Sequence, residues 1–528
     1  MRAAALLPVI ITVIVFSVVR HNGFVDLDDI GYIIDNRFID SLNLDTLFWA
    51  FTAVHEANWH PLTMLSLALD RQIWGMAPFG FHLTNLAFHC GTVYLVFFLY
   101  FRLLKRVTAG MAEISDELWI YAGSLSATLF FAIHPLRVES VAWASARKDV
   151  LCLFFLVAAI LSYLRYRDSS DPSQLVPAAK STAYRLMMLA ASCALLSKPV
   201  AVSLPFVLLI IDWYPLARIT DRPSLADAIR DKIPLLLLSS GVVLLTIYAQ
   251  QYAMNHAPDI DPLSRLLVVC KALPVYLQKM LWPTGLAPYY PHPGKVAQGA
   301  WAEYLPYAVL VAAVAAAGAV LVRKRRPLLP AVMLFYLVTL APMLGVIQVG
   351  GQWIADRYTY LPALGLSLLW GGGAVILSGC LWHSDRRPLA VAASSLLVCQ
   401  LTLYAGMTWQ QIQVWRSTET LASREIESFP QHAGAAYASR SKYYRDQGEC
   451  GRALEDIDKA LAIALRKGLT QKYPELSLAR AELFVCLGRH NEAVAAVEWA
   501  VQTGSPGQKA EISEAGRLLL QSPLPQSP

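Results

Sequence analysis

Asp28 and Asp29 stand side by side in FVDLDDIGYIIDN (residues 24–36), a polar stretch that follows an apolar N-terminal segment. Ionisable groups held near a bilayer are costly, which makes them functional candidates. Adjacent acids repel, and that raises one of the two pKa values. A carboxylate here can take a proton from an acceptor hydroxyl as a general base, hold a cation, or cap a helix. The pair alone does not choose between these roles, but it has company. TAVHEANWHPLT (52–63) brings Asn58 and His60 with Trp59, and His60-Pro61 marks a tight turn or a helix start. Asp70 follows, then His82, Asn85 and His89, which share one helix face; the histidines could bind metal, and His82 and His89 are read in preference as structural hydrogen-bonding groups.

Two further segments supply cations. HPLRVESVAWASARKD (134–149) holds Arg137, Glu139, Arg147, Lys148 and Asp149, and ADRYTYLP (355–362) holds Arg357. Lys198 sits at the Ser197-Lys198-Pro199 turn, and Tyr290 and His292 lie in YYPHP (289–293). Arg and Lys are natural partners of phosphate. At a membrane surface that phosphate belongs to a lipid. Internal pairing with Glu139, Asp149 and Asp356 is the competing use, and such pairs can also pre-position a guanidinium. Together, acids and cations suggest transfer of a group from a lipid phosphate to a hydroxyl. Trp59, Trp143 and Tyr290 are candidate stacking surfaces, although interfacial Trp and Tyr more often belong to the aromatic belt.

These residues need a scaffold, and composition says which kind. The chain has 528 residues, 56% hydrophobic and only 16% charged, with a mean hydropathy of +0.44. Soluble domains carry about 25% charged residues, so an ordinary soluble enzyme is excluded, and a net charge of +6 does not suggest nucleic acid. Apolar runs long enough to cross a bilayer fall near 4–19, 81–104, 118–134, 149–166, 185–197, 200–215, 233–250, 303–322, 328–346, 359–381 and 389–408. The pair 185–197 and 200–215 reads as two half-buried helices. Lys105-Arg106, Arg165 with Arg167, Arg218 to Lys232, Arg323–Arg326 and Arg386-Arg387 then fall on one side, cytoplasmic by the positive-inside rule. This gives an uncleaved, cytoplasmic N-terminus and places the 20–80, 251–302 and 347–358 loops outside. Residues 262–283 are expected to lie in or dip into the outer interface.

Residues 409–528 have the composition of a soluble helical domain. Gly448, Ala453 and Ala460 recur as Gly488, Ala493 and Ala500. Small residues at helix contacts with a glycine between them are the TPR signature. The tail is therefore expected to be a TPR-like α-solenoid on the outer face, serving as a surface for a protein or peptide, or else as a cap on the membrane domain. Its two cysteines, Cys450 and Cys486, are read as buried free thiols in preference to a disulfide, and no C-x-x-C suggests a zinc or redox site.

The strings DLDDIGYIIDN, NWHPLTMLSLALD, HPLRVESVAWASARKDVL, LLSKPVAVSLPFVLLIIDWYPLAR, LAPYYPHP and ADRYTYLP occur in that order between about residues 24 and 365. They resemble bacterial relatives of the transmembrane and TPR-repeat O-mannosyltransferases, within the GT-C class of polyprenyl-phosphate-dependent glycosyltransferases. The resemblance implies a GT-C domain over 1–408 with about eleven transmembrane helices, a TPR tail over 409–528, and a bacterial inner-membrane location with the tail periplasmic or extracellular. It implies an undecaprenyl- or dolichyl-phosphate sugar as donor and an acceptor hydroxyl on the outer side. Asp28 or Asp29 would be the base of an inverting transfer. Arg137, Arg147, Lys148, Lys198 and Arg357 would hold the lipid phosphate. His60, Glu139, Tyr290, His292, Asn58 and Tyr32 would position sugar or acceptor. A monophosphate donor requires no obligatory metal, and a divalent cation stays open. The rival expectation is a non-catalytic scaffold that recruits a partner through the tail.

Overall fold

The computed structural model describes residues 2–109, 111, 117–168, 177–255, 260–294, 301–345, 350–469, 473–505 and 507–521. Parts of the expected outer loops (256–259, 295–300 and 346–349) lie outside them. The chain divides into two compact units, Met1–Leu286 with His292–Gln413, and Ala287–Pro291 with Val414–Pro528. The boundary therefore falls a few residues beyond the expected 408/409, and Tyr290 belongs to the second unit.

The first unit is built of helices α1 (Arg2–Phe16), α2 (Leu44–Thr52), α3 (Pro61–Trp74), α4 (Pro78–Val107), α5 (Glu117–Ala132), α6 (Val138–Ala142), α7 (Arg147–Asp168), α8 (Pro177–Ser197), α9 (Leu204–Trp213), α10 (Arg222–Arg230), α11 (Ile233–Asn255), α12 (Pro262–Leu281), α13 (Trp301–Arg323), α14 (Leu328–Leu340), α15 (Ala363–Ser367), α16 (Gly373–His383) and α17 (Arg387–Val414). Among the described residues, seven helical segments are long and apolar enough to cross a membrane. An eighth is the broken pair Glu117–Ala132 and Pro135–Ala142, bent by 55°. The apolar helices Pro199–Trp213 and Leu328–Met343 are shorter, and residues 185–197 form the end of α8. The structure thus supports a helical polytopic protein with fewer full-length spans than the eleven apolar runs. The short runs end at prolines and polar turns before reaching spanning length. Leu244, Val309 and Leu396 are 69%, 60% and 72% exposed. Apolar surface on that scale suits lipid contact.

Helix α7 is the centre of this unit. Its first turns, from Arg147 to Leu153, are entirely buried, packed against α4 and α8. The residues between α5 and α7 form short helical turns, because Pro135 starts one at N1 and the His134 ring caps it by accepting from Leu136 N–H (3.2 Å). Those turns deliver Arg137, Glu139, Trp143, Arg147 and Lys148 to one end of the bundle. Within residues 262–283, Pro262–Leu281 form α12, a helix with Pro274 inside it.

The second unit contains α18 (Thr418–Ser428), α19 (Gly434–Asp446), α20 (Cys450–Arg466), α21 (Glu475–Cys486), α22 (His490–Thr503) and α23 (Lys509–Gln521), each packed on the next. Ser417 and Thr420 form a capping box that starts α18. Gly448 and Gly488 both turn the chain in the left-handed region, at φ 79° and 71°, where glycine is favoured. Ala453, Ala460, Ala493 and Ala500 are all buried at helix contacts, so each repeated residue recurs in its repeated place. Cys450 and Cys486 form a disulfide, with Cα atoms 6.3 Å apart. This corrects the free-thiol expectation. The cysteines lie 36 residues apart in sequence, and only the stacking of α20 on α21 brings them into range.

Candidate active site

The two adjacent acids are built differently. Asp29 is fully buried. Its Oδ2 accepts from Val25 N–H (3.0 Å), and its Oδ1 accepts from Ser145 N–H (2.9 Å) and the Ser145 hydroxyl (2.5 Å). Both oxygens are therefore occupied in tying the first loop to the turn before α7. Burial pushes the Asp29 carboxyl up to about 6, the three hydrogen bonds oppose this, and the neighbouring Asp28 charge adds to it. Asp28 has a side chain 42% exposed, and its Oδ2 accepts from Lys148 Nζ at 2.8 Å. Burial raises its carboxyl, but Lys148 outweighs that, with smaller help from Arg357 and His60, and the net shift is downward. Asp28 is thus ionised at neutral pH and open to an incoming group.

Lys148 lies 4.6 Å from the centre of the Tyr32 ring and 5.4 Å from that of Trp143, within cation–π range. Tyr32 comes from a π-helical turn at Ile30–Ile34 and packs edge-on to His55 at 5.6 Å. Arg357 is held by Glu139. The carboxylate accepts both the Arg357 backbone N–H (2.7 Å) and a guanidinium N–H, while the guanidinium lies 5.3 Å from the Trp143 ring. Burial would lower the Arg357 pKa, and Glu139 overrides that and raises it. Lys198 Nζ donates to Asp149 Oδ1 at 2.5 Å. Asp149, Lys198, Arg357 and Tyr358 line one small cavity. Asp149 Oδ2 is buried and has no hydrogen-bond partner among the described residues.

His60 caps α3, with Pro61 at N1, as its sequence context implies. It is 5% exposed, and its Nδ1 has no partner among the described residues. Burial, then Lys148 and Lys198, push its pKa well down, so the ring is neutral. Asn58 closes a tight turn by pairing with His55. Glu56 and Ala57 hold positive φ there, at 48° and 56°, and Asn58 Nδ2 donates to Glu56 O (2.6 Å).

Other expected site residues stand elsewhere. Arg147 is completely buried. It donates to Asn85 Oδ1 (2.5 Å), Ser66 Oγ (2.7 Å), Phe81 O (2.9 Å) and Asp70. That is a saturated network, with no donor left for a phosphate. Arg137 donates to Thr359 O and Oγ1 (3.0 and 2.9 Å), and its buried Nε has no hydrogen-bond partner among the described residues. His292 Nδ1 accepts from Gly294 N–H (2.9 Å), and burial followed by Arg265 lowers its pKa. Tyr290, in the other unit, is buried against Phe429 and accepts from Ala287 N–H (2.9 Å). His82 bonds Gly23 O at 3.3 Å, and His89 bonds the Tyr360 hydroxyl at 2.6 Å and Ala132 O at 3.0 Å, which is the structural use read for them. Among the described residues no group of three or more His, Cys, Asp or Glu is placed to hold a metal ion. Ser145 and Tyr358 were not singled out by sequence pattern. Both lie inside recognised strings, and that position was the only signal they gave.

Human protein O-mannosyl-transferase TMTC1 is 24% identical to this chain over 443 residues, 77% of the chain and 48% of the human protein. Tmtc2 of Drosophila melanogaster, also a protein O-mannosyl-transferase, is 33% identical over 159 residues, 29% of the chain and 15% of that protein. Human TMTC3 is 29% identical over 157 residues, 28% of the chain and 15% of its own length. The chain is a relative of these transferases and spans at most about half their length. No protein-family model matches it, and no solved structure does.

Proposed function

We propose that the chain is a membrane glycosyltransferase of GT-C type that moves a hexose, mannose by analogy with its relatives, from a polyprenyl phosphate to a hydroxyl of an extracytoplasmic protein or glycan. One observation carries this reading. Asp28 is an ionised, half-exposed carboxylate in the same neighbourhood as the Arg357 and Lys198 cations, whose charges its surroundings register.

Asp28 takes the proton from the acceptor hydroxyl. The freed oxygen attacks the anomeric carbon, the bond to the lipid phosphate breaks, and the configuration inverts. Arg357 and Lys198 hold the leaving phosphate, with Lys148 nearby to keep Asp28 ionised. Preorganised charge of this kind is often the largest catalytic term. Glu139 and Asp149 fix the two cations in place, and neutral His60 offers Nδ1 to a sugar or acceptor hydroxyl. Tyr32 and Trp143 wall the site. The second unit, read as a two-repeat TPR-like solenoid, presents the acceptor surface, with Arg480, Phe484 and Trp499 in its groove. The membrane is taken to be a bacterial inner membrane, with the site and tail outside.

The test is transfer by the purified protein from polyprenyl-phosphate mannose and other polyprenyl-phosphate hexoses to a peptide acceptor. Transfer that is lost in Asp28→Asn supports the reading. No transfer from any donor, alongside specific peptide binding by the tail, would replace it with a scaffold.

A further inference from the structure

We infer that Asp149 reads the C2 hydroxyl of the donor sugar, on the carbon next to the one that carries the phosphate, and so sets which hexose is transferred. This rests on the proposed transferase reading and adds a specificity-determining residue to it.

Asp149 lies in the first turn of α7, with a side chain 5% exposed. Its Oδ1 accepts from Lys198 Nζ (2.5 Å). Its Oδ2 is just as buried and has no hydrogen-bond partner among the described residues. A carboxylate oxygen only accepts, and a buried acceptor without a donor is costly. Holding Lys198 takes one oxygen, so that pairing does not account for the second. Glu139 makes the contrast. It holds Arg357 in the same way, and both of its oxygens are engaged, one by the backbone N–H and one by the guanidinium.

The surroundings narrow the missing donor to a neutral hydroxyl. Asp149, Lys198 and Arg357 share one cavity whose volume of about 20 Å³ has room for one water-sized group and not for a sugar ring. The other polar groups of its wall are engaged. Cys152 Sγ donates to Lys198 O (3.8 Å), the Tyr358 hydroxyl accepts from Gln352 Nε2 (3.0 Å), and the Tyr360 hydroxyl pairs with His89 Nδ1 (2.6 Å). Leu153, Leu156 and Val200 close it with apolar surface. A cationic donor entering here would meet the charges of Lys198 and Arg357. An O–H group meets no such opposition, and its bond to a carboxylate is charge-assisted.

The chemistry of the donor identifies the hydroxyl. Lys198 is shared between Asp149 and the lipid phosphate, so the group that reaches Oδ2 must lie close to that phosphate. In a glycosyl phosphate the phosphate is on C1. The ring oxygen on one side of C1 has no proton to give, and the hydroxyl on C2 is the nearest that has. The hydroxyls on C3 and C4 stand further along the ring. C2 is also the centre at which mannose and glucose differ, axial in one and equatorial in the other. A fixed acceptor therefore favours one of the two, since a site built to bond a hydroxyl discriminates against an analogue that lacks it.

The test uses the full-length protein in detergent with the undecaprenyl-phosphate hexose it transfers best, together with the 2-deoxy and 3-deoxy analogues of that donor. The wild type is expected to prefer the parent sugar over the 2-deoxy donor by roughly 10–100-fold in kcat/KM. Asp149→Ala should cut that preference about tenfold and leave the preference over the 3-deoxy donor as it was. Asp149→Asn keeps the shape, guards against an alanine variant that fails to fold, and should move the same ratio in the same direction. Any loss through Lys198 slows all three donors alike, and the intrinsic reactivity of each donor cancels between enzymes, so only a contact with the C2 hydroxyl moves this ratio. Where a variant no longer turns over, the ratio is read from donor dissociation constants. A 2-deoxy preference unchanged in both variants would mean that Asp149 acts only through Lys198, and would overturn the inference while the transferase stands. A change confined to the 3-deoxy donor would overturn the assignment to C2. A wild type that transfers from no polyprenyl-phosphate hexose would overturn the transferase reading and this inference with it.

Discussion

Replacing Asp28 by Asn is expected to lower transfer by about 10²–10⁴-fold, the usual worth of a general base. Stability should be nearly unchanged, because the side chain is 42% exposed and its partner Lys148 keeps both aromatic rings. Asp29→Asn does the reverse. An amide nitrogen cannot accept from Val25 N–H, so a buried donor loses its partner, at a cost of about 1–3 kcal/mol. The pH dependence separates the two acids further. With Asp28 as base, kcat/KM stays flat from neutrality down into the ordinary carboxylate range, since Lys148 holds that carboxyl below 3.8. An acidic limb near pH 6 would mark Asp29 as base instead. Asp29 keeps its proton in the folded protein up to about pH 6. The stability it contributes is therefore complete below 3.8 and lost as pH rises through 6. A protonated-carboxyl infrared band that titrates near pH 6 and is absent in Asp29→Asn checks this. The adjacency of the acids was legible in the sequence. Their division of labour was not, because it depends on Ser145, 116 residues further on.

Helices and turns decide which cations face the site. Sequence context names five cations as phosphate partners, with internal pairing to Glu139, Asp149 and Asp356 as the competing use, and the structure pairs Arg357 with Glu139 and Lys198 with Asp149. Sequence context does not separate Arg357, Lys148 and Lys198 from Arg147, because the partners of Arg147 come from α3 and α4, 62 to 81 residues away. Arg147→Met is expected to destabilise the protein by about 3–5 kcal/mol, since it strands a buried Asp70. Adding Asp70→Asn should recover part of that loss, measured as the thermal midpoint in detergent. An unchanged midpoint with weaker donor binding would return Arg147 to the phosphate. Element types were the easier part. Long apolar runs became helices, His60-Pro61 began one, and the small-residue repeat of the tail became paired helices with left-handed glycines between them. Helix breaks such as the 55° bend after Ala132 were harder, because the apolar run is uninterrupted up to His134 and only Pro135 hints at the turn.

Orientation belongs to the molecule as a whole, and the tail disulfide bears on it. The cytoplasm keeps thiols reduced, while the outer side of a cell membrane lets disulfides persist. Cys450–Cys486 therefore agrees with the side that Lys105-Arg106, Arg323–Arg326 and Arg386-Arg387 assign to the tail by leaving it opposite to them. A cross-link between residues 36 apart constrains the unfolded tail by about 4 kcal/mol. Reduction should accordingly lower the unfolding midpoint of the tail without touching that of the membrane unit. On intact cells, a membrane-impermeant maleimide is expected to leave both tail cysteines unlabelled, and to label both after treatment with an impermeant phosphine, as read by peptide mapping. Labelling without reduction, and only after the membrane is permeabilised, would put the tail in the cytoplasm. The donor site, the acceptor surface and the positive-inside assignment would then have to be inverted together, because all three rest on the same odd or even count of crossings.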